Sequence, residues 1–166
     1  MHDHPGPPKI RQTAFLLAQV GAHAAAQFAE RLGVTGFAPS DAGILRLLRG
    51  EAGLSQQELA KRLGIHPSRL VAILDSLESR GLVERRPNPE DRRLYSLHLT
   101  PAGGEKLGEI GRVAQEHQEA LLASLSSGEQ ERLGMLLEKI AEEQGLTPGV
   151  HPGYQRLGRP RAAKDS

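Results

Sequence analysis

Two periods of apolar positions divide the chain, a step of three or four that marks helices and a step of two that marks strands. Ile10, Ala14, Leu17, Gly21, Ala24, Phe28 and Leu32 predict a long helix over residues 9–32. Residues 33–38 break it. Pro39 suits the first position of a second helix, since its missing N–H would have no partner there. That helix carries Ile44, Leu45, Leu47 and Leu48 and runs to about Arg49. Ser55-Gln56-Gln57-Glu58 spells a capping box, in which serine and glutamate satisfy each other's orphan N–H groups. It opens a short helix with Leu59 and Leu63 inward, ending at Gly64. After the turn Gly64-Ile65-His66, Pro67 opens a further helix with Leu70, Ile73, Leu74 and Leu77 in one stripe. Gly81 ends it as a left-handed cap. Leu82 to Arg86 and Arg92 to Leu99 then flank a polar tip, residues 87–91. Tyr95, Leu97 and Leu99 alternate with Ser96 and His98, which predicts a hairpin with one buried face. Thr100-Pro101 starts a long helix reaching about Leu125, with Leu107, Ile110, Ala114, His117 and Leu121 along its seam. A second capping box, Ser126 to Glu129, opens a last helix that Gly145 closes. The expected fold class is mainly α with a small β-hairpin. Residues 9–146 form one domain, between a disordered arm (1–8) and a basic, disordered tail (147–166).

Charge sharpens this picture. The net charge is only +1, yet residues 102–146 carry −5 while residues 55–101 carry +2 and residues 147–166 carry +3. A surface for phosphate belongs on the basic parts. The densest positive spot in the folded region is Arg85 to Arg93, with four arginines against Glu90 and Asp91. Composition excludes several classes. No apolar run approaches the ~20 residues of a membrane span. The polar, proline-rich start is not expected to act as a secretory signal. With no cysteine there is no disulfide, thiolate metal site or thiol redox sensor. A cytoplasmic protein without a cofactor is expected. No Gly-rich phosphate loop, nucleophile elbow or Ser/His/Asp spacing supports an enzyme.

A capped helix, a Gly turn, an amphipathic helix and a hairpin are the parts of a winged helix-turn-helix. In such a unit the second helix enters the DNA major groove. Its outward face here presents Pro67, Ser68, Arg69, Val71, Ala72 and Ser76. Small residues let the backbone approach, and the helix N-terminus offers a positive dipole end to phosphate. Ser55 and Gln56 join the expected DNA-facing set from the preceding helix. The hairpin tip could carry arginines to the minor groove. Asp75 and Glu78 are expected as local ion-pair partners, and Arg85 as a solvated strand residue.

Residues 54–104 resemble the MarR family of bacterial transcription regulators. The resemblance rests on Gly81-Leu82-Val83, Arg85-Arg86, Asp91-Arg92-Arg93, Leu99-Thr100 and Gly103, in that order and spacing. It implies a winged-helix domain over about 38–100, flanked by dimerisation helices at about 9–32 and 101–145. It implies a homodimer on a palindromic operator and, as the commoner mode, repression. Arg93 would be the minor-groove arginine, held by a charge-assisted bond from Asp91. Arg86 and Arg92 would reach phosphate or the same carboxylate. Ser68 and Arg69 would contact base edges or phosphates. The family often has a polar or basic residue where this chain has Ala72, and Thr where it has Arg69, so an unusual recognition code is implied.

The resemblance also implies a small-molecule effector, and the absence of cysteine excludes the cysteine-based peroxide sensors. His23 and His117 are candidate liners of a pocket for an anionic or aromatic ligand, because His117 is a polar group on an apolar seam. No His-x₂₋₄-His pair lies in the folded region, so no metal is expected. Two rival readings stay open. One is a winged-helix protein-interaction module. The other is a nucleoid-type DNA binder using Arg156, Arg159, Arg161 and Lys164 without sequence preference.

Overall fold

The computed structural model describes residues 10–151 and Tyr154, with side chains from residue 12 onward. The arm over residues 1–8 and the tail cations Arg156, Arg159, Arg161 and Lys164 lie outside the described residues. Eight elements follow in chain order: α1 (Ile10–Gly33), α2 (Pro39–Gly50), α3 (Gln56–Leu63), α4 (Pro67–Ser79), β1 (Val83–Pro87), β2 (Tyr95–Leu99), α5 (Pro101–Leu121) and α6 (Ser127–Glu143). The fold is mainly α with one antiparallel hairpin, as the periodicity predicts.

The inward stripes meet in one core. Leu32 of α1, Ile44, Leu45 and Leu48 of α2, Leu59 and Leu63 of α3, and Leu70, Leu74 and Leu77 of α4 are all buried, together with Val83, Leu97 and Ile110. Each such side chain, fully removed from water, contributes roughly 1.5–3 kcal/mol. The signals at the helix ends act as read. Ser55 Oγ accepts from Glu58 N–H at 3.2 Å, and Glu58 accepts from Ser55 N–H at 2.8 Å. Gly64 (φ 61°) and Gly81 (φ 71°) adopt the left-handed conformation that ends α3 and follows α4.

The hairpin pairs Val83 with Leu99, Arg85 with Leu97 and Pro87 with Tyr95. A third segment joins it: Gly53 N–H donates to the Leu97 carbonyl and Leu97 N–H to the Leu54 carbonyl, both at 2.9 Å. β2 is therefore held on both edges at Leu97, which anchors the hairpin to the start of α3. Two expectations need correction here. The second strand begins at Tyr95 rather than Arg92, because Leu94 N–H closes a turn onto the Asp91 carbonyl at 3.0 Å. The alternation also fails at the tip. Tyr95 is 52% exposed at the far end of the hairpin, while Ser96 is buried and its hydroxyl lies 2.9 Å from His98 Nε2.

α5 starts where Thr100 caps it. Thr100 Oγ1 accepts from Gly103 N–H at 3.0 Å and donates to the Gly81 carbonyl at 2.6 Å. A side chain on Gly103 would place its Cβ 2.1 Å from the Leu82 carbonyl oxygen, so glycine is what lets α5 lie against the hairpin root. α5 ends at Leu121, one turn before the expected Leu125. The apolar steps continue, but Gln130 Nε2 donates to the Leu122 and Leu125 carbonyls at 3.2 and 3.1 Å and stabilises a reversal into α6.

Residues 147–151 and Tyr154, read from sequence as the start of the tail, are placed back on α2. Arg46 Nη2 donates to the Gly149 carbonyl at 2.6 Å, and the Tyr154 ring, 7% exposed, lies over Gly43. Apolar surface remains open elsewhere. Phe15, Leu16, Leu17 and Val20 of α1 and Met135, Leu136, Leu137 and Ile140 of α6 are exposed, Phe15 to 67% and Met135 to 57%. Among the described residues, no helix is long and apolar enough to cross a membrane.

Candidate nucleic-acid interface

α4 is held against α3 by Leu70, Leu74 and Leu77, which leaves Pro67, Ser68, Val71, Ala72 and Ser76 on its open face. That face is small and lightly charged, so the helix backbone can come close to another surface. Its N-cap is His66, a role the sequence reading did not assign. His66 Nδ1 accepts from Ser68 N–H at 3.3 Å and lies 2.8 Å from Ser68 Oγ. One of the N–H groups expected to face phosphate is therefore already partnered. The available signal was a side chain with an acceptor directly before a helix-opening proline. Arg69 is half-buried and lines a groove of about 580 Å³ with Gln57, Lys61, Gly64 and His66.

The hairpin tip is ordered by two side chains that fold back on the main chain. Asn88 Oδ1 accepts from Glu90 N–H at 2.9 Å and Asp91 Oδ1 from Arg93 N–H at 3.0 Å. Asp91 thus positions Arg93 through its backbone amide, not by the guanidinium bond that the resemblance implies. Arg86 pairs with Glu84 on the same strand face, rather than with Asp91. Arg92 and Arg93 are exposed, and among the described residues neither guanidinium has a partner. They are the cations left available at this tip.

Ser55 and Gln56 are both half-buried and both engaged. The Ser55 hydroxyl is used in the cap. Gln56 Oε1 accepts from Arg85 Nε at 3.1 Å. Arg85 is not a solvated strand residue. Its Nη2 donates to Asp75 Oδ1 at 2.7 Å and its Nη1 to Glu78, while its side chain is only 18% exposed. Burial works against its charge, but the two carboxylates outweigh that and raise its pKa. Strand parity carried the signal: Arg85 shares a face with Val83, which is buried. Asp75 and Glu78 act as the local ion-pair partners expected of them.

The two histidines separate. His117 lines a groove of about 650 Å³ with Phe28, Leu121, Gln130, Leu133 and Leu137. Its ring centroid is 5.6 Å from that of Phe28, and its buried Nδ1 has no hydrogen-bond partner among the described residues. Burial, then Arg31, lowers its pKa, with the Ala24 backbone opposing. His23 is exposed on α1 and is not among the residues lining that groove.

Comparison with known proteins agrees with this geometry. A family model described as MarR family matches residues 35–94. A Thauera aromatica protein, assigned as transcriptional regulator for the hcr operon, is 34% identical over 74% of each chain. The solved structure of wild-type MarR from E. coli superposes with a TM-score of 0.70 at 26% identity, over 83% of this chain and 98% of that one. The repressor CouR bound to a 23-mer DNA duplex gives a TM-score of 0.69 at 28% identity, over 84% and 99%. A mutant MarR from E. coli complexed with operator DNA gives 0.64 at 27%, over 82% and 99%. The family match spans α2, α3, α4 and the tip arginines, and with these relatives it shows that the chain belongs to the MarR family of winged helix-turn-helix, DNA-binding transcriptional regulators.

Proposed function

We propose that this chain is a repressor that binds a palindromic operator as a homodimer and releases it when a small ligand binds. The observation that carries the reading is the pair of exposed guanidiniums of Arg92 and Arg93, without a partner among the described residues, on a tip whose backbone Asp91 fixes. In this reading Arg93 enters the minor groove, and Arg92 and Arg86 reach phosphate. Ser68 and Arg69 contact base edges or phosphates in the major groove, while Pro67, Val71 and Ala72 allow close approach. Ser55 and Gln56 border the DNA from the start of α3. The complexes of CouR and of MarR with DNA support this docking.

The exposed apolar faces of α1 and α6 support a homodimer, because water-exposed Phe15, Val20, Met135 and Ile140 gain by mutual burial. A palindrome then requires the two α4 helices about one DNA turn apart, ~34–36 Å. The groove at His117 supports a small ligand with an aromatic or apolar body, since Phe28, Leu121, Leu133 and Leu137 supply its walls. A ligand that favours one spacing of the two lobes shifts the population away from the DNA-competent form. No catalytic role is assigned, and the site of action is the cytoplasm, with the DNA.

Footprinting on the DNA flanking its own gene tests the reading. A symmetric protected palindrome is expected, released by an aromatic acid. Salt-sensitive binding without a protected site would instead favour a non-specific binder, and no binding would favour a protein-interaction module.

A further inference from the structure

Three elements converge on Arg85. α3 contributes Gln56, α4 contributes Asp75 and Glu78, and β1 contributes the arginine itself. The arginine is mostly covered while Asp75 is 60% exposed. This is a charged junction between the helix and the hairpin that together form the proposed DNA surface.

The position of the two acids matters. Asp75 lies one helical turn beyond Val71 and Ala72, on the flank of α4 that turns toward the hairpin. Between Ala72 and Ser79, α4 carries these two acids and no base. DNA presents one negative charge per ~1.7 Å of helix axis, so two mobile carboxylates beside it would oppose binding. A guanidinium offers five N–H donors in a planar fork, enough to hold two carboxylates and an amide oxygen at once.

We propose that Arg85 is a positioning residue for DNA binding: it holds Asp75 and Glu78 back against the hairpin, away from DNA phosphate, and fixes the hairpin to α4. Arg85 then acts without touching DNA. The proposal rests on the reading of α4 and the hairpin as the DNA-facing elements. It differs from that reading in assigning the effect to two acids, not to a lost contact.

The junction predicts non-additivity. With Arg85 in place the acids are already held, so the change Asp75→Asn with Glu78→Gln should alter affinity little. Without Arg85 the acids are released, and the same double change should recover much of what was lost. If Arg85 instead contacted phosphate, neutralising the acids would help equally with and without it.

The experiment is a cycle of four full-length proteins: wild type, R85A, D75N/E78Q and R85A/D75N/E78Q. The probe is the duplex immediately upstream of the protein's own gene, with a random duplex as competitor. The expected result is a gain on acid neutralisation ~5-fold or more larger in the R85A background than in wild type, within the range for residues of one ion-pair network. Melting temperature separates a structural role. R85A/D75N/E78Q should regain affinity without regaining the stability lost in R85A, because the three bonds to Arg85 stay broken. Equal gains in both backgrounds would overturn the proposal, as would recovery of affinity only in step with melting temperature. If R85A does not fold, the same cycle is run with R85K, whose compact ammonium lacks the planar fork that spans both carboxylates and Gln56. The same sign of coupling is expected there, and additivity would again overturn the proposal. Arg93→Ala on the same probe keeps the two failures apart. An additive cycle beside a strong Arg93→Ala loss removes only the Arg85 role. No effect of Arg93→Ala, with no preference over random DNA, removes the docking reading as well.

Discussion

Adjacent glycines at the start of α5 should respond to the same substitution with opposite sign. Gly103 lies on the hairpin root. An alanine Cβ there would sit 2.1 Å from the Leu82 carbonyl oxygen and 2.7 Å from Leu99 Cδ1. The first obstacle is backbone, so α5 or the turn must move by roughly 1.4 Å to restore ordinary contact distances near 3.5 Å. That turn is tied to α5 by Thr100 N–H to the Leu82 carbonyl at 3.1 Å and by Thr100 Oγ1 to the Gly81 carbonyl at 2.6 Å. Overpacking of this kind costs ~1–3 kcal/mol, and each weakened hydrogen bond adds ~1 kcal/mol. Alanine returns ~1 kcal/mol through helix propensity. The net expectation for Gly103→Ala is a loss of ~2 kcal/mol. Gly104 has no atom within 4 Å of its ideal Cβ, so Gly104→Ala should gain up to ~1 kcal/mol. For a domain of this size each kcal/mol moves the melting temperature by ~2–4 °C. Thermal and urea unfolding at matched protein concentration would measure both variants. Shifts of the same sign, or a Gly103→Ala protein as stable as wild type, would refute the packing described at this junction.

Three further outcomes follow from other parts of the structure. Ile140→Asp, on the exposed apolar face of α6, should convert a dimer to a monomer in analytical ultracentrifugation; an unchanged dimer would place the interface elsewhere. His117 has its pKa lowered, so the unfolded chain binds the extra proton first and native stability falls as pH drops below the ordinary value of 6.5. His117→Gln should therefore lose less melting temperature than wild type between about pH 7.5 and about pH 5.5, and equal losses would contradict the burial of that ring. Arg69→Ala should change which operator variants are preferred more than it weakens binding to random DNA, whereas parallel losses would make Arg69 a phosphate contact.

Helices were legible because one buried stripe is enough to specify each, and Leu70, Ile73, Leu74 and Leu77 show this. Caps were legible because a hydroxyl beside an orphan N–H acts locally, as at Ser55, Thr100 and Ser126. Partners across elements were not. Nothing near Arg85 in sequence identifies Gln56, which is 29 residues away, as its acceptor. The parity it shares with buried Val83 was the only local trace. The end of α5 was misplaced because apolar spacing continues to Leu125, while the Gln130 amide that favours the reversal lies in the next helix. Tyr154 was read as tail because a lone aromatic in a Pro/Gly stretch gives no period, and its seat is a glycine on α2.

The most direct test is the affinity of wild type and Arg93→Ala for the duplex upstream of the protein's own gene, each competed with random DNA at near-physiological salt. Wild type should prefer that duplex strongly. Arg93→Ala should bind it ~10-fold or more weakly, the loss typical of one charged DNA contact, while keeping its melting temperature. Equal affinity of the two proteins, or no preference of wild type for that duplex, would contradict the assignment of the hairpin tip as the operator-binding wing.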